Sequence, residues 1–108
     1  VSPETIIKVL DAMRRHADFD VFYQALPVGG VDGTLSTRML ETPAAGNVRA
    51  KTGTLDKARA LSGYVTAADG RLLLFSMIAN NHVVANREVE RVQDAIVSRL
   101  ATMHVQDR

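Results

Sequence analysis

The chain contains no cysteine. A disulfide scaffold and a Cys-based zinc site are therefore both excluded. The zero count suits an oxidising compartment without proving one. No apolar stretch comes near the roughly 20 residues that a membrane-spanning helix needs. The first residues lack the basic-then-apolar pattern of a signal peptide. Charge of one sign is missing too: 13 Lys and Arg stand against 12 Asp and Glu, a net charge of +1. With 46% hydrophobic residues, that balance excludes an intrinsically disordered chain. No basic cluster stands out, so nucleic acid is not an expected partner. The 108 residues correspond to at most one domain.

Helical and strand patterns are present in a clear order. Residues 2–15 predict a helix, with Ser2 as N-cap and Pro3 at the first helical position. Ile6, Val9, Leu10 and Met13 form its expected buried stripe. Residues 16–46 make a long connection punctuated by Pro27, Gly29, Gly30, Gly33, Pro43 and Gly46, with short helices expected near Val21–Leu26 and Leu35–Leu40. Such a length is uncommon in a compact domain unless the segment has a task. Asp32-Gly33-Thr34 within it is expected to be a structural turn, with Thr34 capping a short helix, in preference to a loop of the site.

Strands are expected at Val48–Thr52, Leu61–Thr66 and Arg71–Ala79, the last two joined by a hairpin at Asp69-Gly70. Leu72–Ile78 is apolar on both faces, which points to a central strand. Residues 86–103 close the chain as a helix capped by Asn86, with Val89, Val92, Ile96, Leu100 and Met103 as its apolar stripe and the Arg87–Arg99 charges on its wet face. The predicted fold class is α+β, antiparallel sheet strands with flanking helices. Two main helices are little cover for a sheet that needs packing on both faces. The chain is therefore expected to be part of a larger body.

The sharpest local feature is Lys51-Thr52-Gly53-Thr54, at the end of the first predicted strand. Lys51 can hold a carboxylate or acidify a nearby hydroxyl. Thr52 and Thr54 supply hydroxyls, Gly53 lets a ligand approach the backbone, and a backbone N–H here can stabilise an oxyanion. Alone the triplet is a weak signal, and a solvated strand end is the plainer reading of it. A phosphate-binding loop is excluded, because Ala50 stands where that motif needs glycine. His16, His82 and His104 share no metal-ligand spacing. Asp56, Lys57 and Arg59 fit a solvated connection, with a loop beside the site that touches substrate as the lesser alternative, and Tyr64 fits a residue packed on the sheet.

The motif has company. Val31-Asp32-Gly33-Thr34-Leu35, Thr42-Pro43-Ala44-Ala45-Gly46, Val48 through Leu55, Ala60-Leu61-Ser62-Gly63-Tyr64-Val65 and Phe75 through Asn81 follow in order. This series resembles the C-terminal part of the class C low-molecular-mass penicillin-binding proteins, serine D-alanyl-D-alanine carboxypeptidases and endopeptidases. That family uses Ser-x-x-Lys, Ser-x-Asn and Lys-Thr-Gly. None of Ser2, Ser36, Ser62, Ser76 or Ser98 begins either of the first two motifs.

The resemblance carries several implications. The whole of residues 1–108 would be the C-terminal part of a β-lactamase/transpeptidase-like domain, with the nucleophile-bearing part absent. Lys51 would face the reaction centre. Thr52 and Thr54 would bind the terminal carboxylate of a stem peptide or a β-lactam. The Thr54 N–H would be one oxyanion donor, and Gly53 would leave room for the acyl group. No metal or organic cofactor is implied. The partner would be the N-terminal part of the same parent, which carries the serine, and the parent would lie outside the cytoplasmic membrane. Alone, the chain would be inactive. Two other readings remain: a free-standing binding module without catalysis, and part of a β-lactamase or esterase.

Overall fold

The computed structural model describes residues 2–55, 58–80 and 86–104, without the side chains of Thr54, Leu55, Asn80 and Asn86. The elements run α1 (Pro3–Arg14), α2 (Phe19–Ala25), a 3-10 turn (Gly33–Leu35), β1 (Arg49–Leu55), β2 (Ala58–Thr66), β3 (Leu72–Asn80) and α3 (Asn86–Ala101). The fold is α+β, as the pattern predicts.

Ser2 caps α1 by accepting a hydrogen bond from the Thr5 N–H at 3.1 Å, and Pro3 follows it. The three strands form one antiparallel sheet in the order β1-β2-β3. Gly70, at φ +89°, takes the left-handed position of the β2–β3 hairpin, and its N–H donates to the Ala67 carbonyl at 2.9 Å.

Register divides the sheet into two faces. Lys51, Ser62 and Ser76 are direct partners across one face; Thr52, Leu61 and Met77 are partners on the other. The first face carries α1 and α2. Tyr64 is fully buried there, with Phe19 and Tyr23 edge-on at 5.3 and 5.7 Å. The second face carries the main core: Leu61, Val65 and Phe75 of the sheet, Val97 and Ala101 of α3, and Leu35, Met39, Ala44 and Val48 of the connection.

Several expectations are corrected. β2, not β3, is the central strand among the described residues. β3 is apolar on both faces because α1 lies on one side and the main core on the other. Leu35–Leu40 forms no helix: only Gly33–Leu35 is 3-10, and Met39 and Glu41 take left-handed φ values of 62° and 56°. The buried stripe of α3 is Val89, Gln93, Val97 and Ala101, spaced by four, while Val92 and Ile96 are exposed. Val9 of α1 is exposed as well. Gln93 tolerates burial because both ends of its amide are bonded: Nε2 donates to the Arg59 carbonyl, and Oε1 accepts from Arg38. The cap expected of Asn86 falls on a side chain outside those described.

The Tyr64 hydroxyl donates to the Leu10 carbonyl at 2.7 Å, tying α1 to the sheet. Burial pushes its phenol above the ordinary value of 10.0, against the opposing charge of Arg14 and with help from Asp11. The folded state thus holds this proton more tightly than the unfolded chain. The resulting stability is complete below pH 10 and is lost as pH rises through the folded value. Tyr64→Phe should cost about 1–2 kcal/mol near neutral pH. It should also flatten the decline in urea midpoint above pH 10. An unaltered decline in the variant would assign the alkaline sensitivity to another group.

Candidate active site

Lys51-Thr52-Gly53-Thr54 lies within β1 rather than at its end. β1 is a lateral strand, and the alternation of its peptide groups decides what it presents. The Ala50 N–H donates to the Pro27 carbonyl and the Val48 carbonyl accepts from the Gly29 N–H, both at 3.0 Å, so these even-numbered residues face away from β2. By the same parity the peptide groups of Thr52 and Thr54 also point out of the sheet. Residues 27–29 cover only the start of this edge. Beyond Ala50 it is open among the described residues, apart from Lys51 Nζ, which donates to the Thr52 carbonyl at 2.9 Å.

Two clefts meet at this edge, and Thr52, Gly53 and Ala60 line both. On the α1 face a cleft of about 350 Å³ is walled by Ile6, Leu10, Phe22 and Leu26, with Lys51 and Ser62 as its polar groups. The Ser62 and Ser76 hydroxyls are 2.9 Å apart on that face. On the α3 face a cleft of about 270 Å³ is polar, lined by Thr34, Thr37, Arg38, Arg59, Glu90 and Gln93. Gly53 forms the floor between them. Among the described residues an added Cβ there would meet only Ala60 Cβ, at 3.5 Å, so their packing does not demand glycine at this position.

All four predicted site residues stay together on one strand edge, and the structure brings Thr34 and Arg59, the lesser candidates of the sequence, to the same cleft with Arg38, Glu90 and Gln93. Thr34 does not cap the 3-10 turn. Asp32 precedes that turn and accepts from the Val28 N–H at 2.7 Å, while the Thr34 hydroxyl meets Thr52 Oγ1 at 3.2 Å. Arg59 lies in β2, not in a solvated connection, and pairs with Glu90 of α3. Arg38 binds Asp94 at 2.5 and 3.1 Å with its side chain 10% exposed. These pairs draw Glu90 and Asp94 off the expected wet face of α3. Asp56, Lys57, Asn81 and His82 lie outside the described residues. Among the described residues no cluster of His, Asp or Glu could hold a metal ion, and no helix is long and apolar enough to cross a membrane.

This fold is that of the penicillin-binding proteins. The crystal structure of penicillin-binding protein 4 (DacB) from Haemophilus influenzae superposes with a TM-score of 0.83 at 28% identity, covering 95% of this chain and 25% of that one. The sequence profile of the D-Ala-D-Ala carboxypeptidase 3 (S13) family matches residues 1–103. The chain belongs to that family. A D-alanyl-D-alanine carboxypeptidase of Actinomadura is 40% identical over 106 residues, 94% of this chain and 19% of the relative. Carboxypeptidase DacB of Mycolicibacterium smegmatis is 52% identical over 60 residues, 52% of this chain and 13% of the relative. The chain thus spans less than a fifth of the length of these two curated relatives.

Proposed function

We propose that the chain is the C-terminal part of a transpeptidase-like domain in a serine D-alanyl-D-alanine carboxypeptidase or endopeptidase, and that it supplies one wall of the acyl-enzyme site. The observation that carries this reading is the open edge of β1. The Lys-Thr-Gly-Thr run stands there with outward peptide groups, in a chain of the S13 family.

In this reading a serine from the rest of the parent attacks the carbonyl between two D-Ala residues. A tetrahedral oxyanion forms, and the Thr54 N–H and the N–H of that serine donate to it. Lys51 places positive charge beside the reacting hydroxyl and eases its proton transfer. The Thr52 and Thr54 hydroxyls take the terminal carboxylate. The terminal D-Ala leaves as the amine, and water then hydrolyses the ester to release the shortened peptide. A β-lactam acylates the same serine. The sequence requires no metal or cofactor. Peptidoglycan as substrate places the parent outside the cytoplasmic membrane.

The test is intact-mass spectrometry of the full-length protein that carries this chain, after incubation with benzylpenicillin. One penicilloyl group should appear, and peptide mapping should place it on a serine outside residues 1–108. A protein that stays unmodified at saturating penicillin contradicts the reading and leaves a binding role.

A further inference from the structure

We infer that Thr34 is a positioning residue of this site, acting through the Thr52 hydroxyl; this rests on the function proposed above. Thr52 Oγ1 donates to Thr34 Oγ1 at 3.2 Å, and both residues line the polar cleft on the α3 face. A threonine hydroxyl carries one proton and turns about its C–O bond. Between substrates Thr34 therefore holds the Thr52 proton, and with it one rotamer of the Thr52 side chain. Among the described residues the Thr34 proton itself is given to no acceptor. When the Thr52 hydroxyl turns to a bound substrate, that proton is free to turn to Thr52 Oγ1 in return. A hydroxyl that accepts one hydrogen bond donates a stronger one. Each residue keeps its own proton, and only the two O–H bonds rotate.

The chain around Thr34 fixes where its hydroxyl stands. Thr34 lies in the 3-10 turn Gly33–Leu35, and Leu35 is fully buried in the main core. Asp32 closes the loop ahead of the turn through the Val28 N–H, and the Gly30 N–H donates to the Leu35 carbonyl at 2.8 Å. Gly33 takes a left-handed φ of 59° against Pro27, where an added Cβ would come within 3.0 Å of the Pro27 Cβ. The same loop is bonded to β1, since the Pro27 carbonyl accepts from the Ala50 N–H and the Gly29 N–H donates to the Val48 carbonyl. Thr34 is thus anchored to the strand that carries Thr52. Asp32, Gly33 and Leu35 shape the turn. Thr34 itself is exposed, and its hydroxyl answers to the site rather than to the fold.

The test is a double-mutant cycle in the full-length protein: Thr34→Val, Thr52→Val and the two together, with Thr34→Ser as the conservative variant. Acylation by benzylpenicillin is measured beside kcat/KM on an N-acylated peptide ending in D-Ala-D-Ala. Thr34→Val should lower both about 3- to 10-fold with the unfolding temperature almost unmoved, and Thr34→Ser should restore them to within about twofold of wild type. In the Thr52→Val background the same change at Thr34 should cost less than about twofold, because the group through which it acts is gone. An unchanged rate in Thr34→Val, or an equal loss with and without the Thr52 hydroxyl, overturns the role of Thr34 alone. So does a loss that Thr34→Ser shares and that follows a fall in unfolding temperature. A wild-type protein that takes up no benzylpenicillin overturns the functional reading and this inference together.

Discussion

Lys51→Ala is expected to slow acylation of the full-length protein by benzylpenicillin about a thousandfold, with thermal unfolding almost unmoved. The two halves of that expectation have separate grounds. Lys51 is exposed, and among the described residues its ammonium reaches only the carbonyl of the next residue, at 2.9 Å. A surface lysine with so local a contact contributes within about 0.5 kcal/mol of nothing. Among the described residues that line the cleft on the α1 face, Lys51 is the one cation, beside the hydroxyls of Thr52 and Ser62 and an apolar wall of Ile6, Leu10, Phe22 and Leu26. An ammonium acts more strongly on a developing negative charge where a bound substrate excludes water than it does in bulk water. Lys51→Arg should recover part of the rate, since charge is kept but a compact donor becomes a broad planar fork. A fall of less than tenfold in Lys51→Ala, or a parallel loss of unfolding temperature, would remove Lys51 from the chemistry.

The elements most legible in the sequence are those whose signals are local. Ser2-Pro3 starts a helix and Asp69-Gly70 turns a hairpin whatever the rest of the chain does, and both are where the pattern puts them. The failures need information from elsewhere. Leu35–Leu40 has helical spacing, yet Thr42, Ala44 and the core beneath pull it into turns, with Met39 buried in a left-handed conformation that non-glycine residues rarely adopt. In α3 the bulkiest residues suggest a stripe through Val92 and Ile96. The buried stripe instead runs through a glutamine whose amide is bonded by two arginine-bearing segments.

The candidate site divides in the same way. Lys51 to Thr54 is contiguous and recognisable as a motif. Thr34, Arg59 and Glu90 come to it only through register and through the packing of α3. Leu55 pairs with Ala58, so only two residues join β1 to β2. Those two, Asp56-Lys57, carry none of the Asn-Gly or Asp-Gly signal that would have fixed the pairing in advance. Without the pairing, Arg59 has no visible tie to Thr54.

Two glycines of this sheet should respond oppositely to the same added methyl group. At Gly63, in the middle of β2, a Cβ would press on the backbone of β1, the Arg49 carbonyl oxygen and Ala50 Cα at 2.6 Å, and on Ala50 Cβ at 2.7 Å. Backbone atoms of a paired strand cannot retreat without breaking the ladder. Gly63→Ala should therefore cost about 3 kcal/mol or more, read as a fall in urea midpoint. At Gly53 the added atom meets, among the described residues, only Ala60 Cβ, at an ordinary 3.5 Å. Stability should hold or rise slightly, because alanine loses less backbone freedom on folding. Acylation by benzylpenicillin should nonetheless fall about 10- to 100-fold, since the methyl group stands where the two clefts meet, which in the proposed function is the path of the acyl group. The contrast separates a glycine required by the fold from one required by a ligand. Equal destabilisation at both positions would show that Gly53 is also structural, and wild-type acylation in Gly53→Ala would move the substrate's path away from this edge.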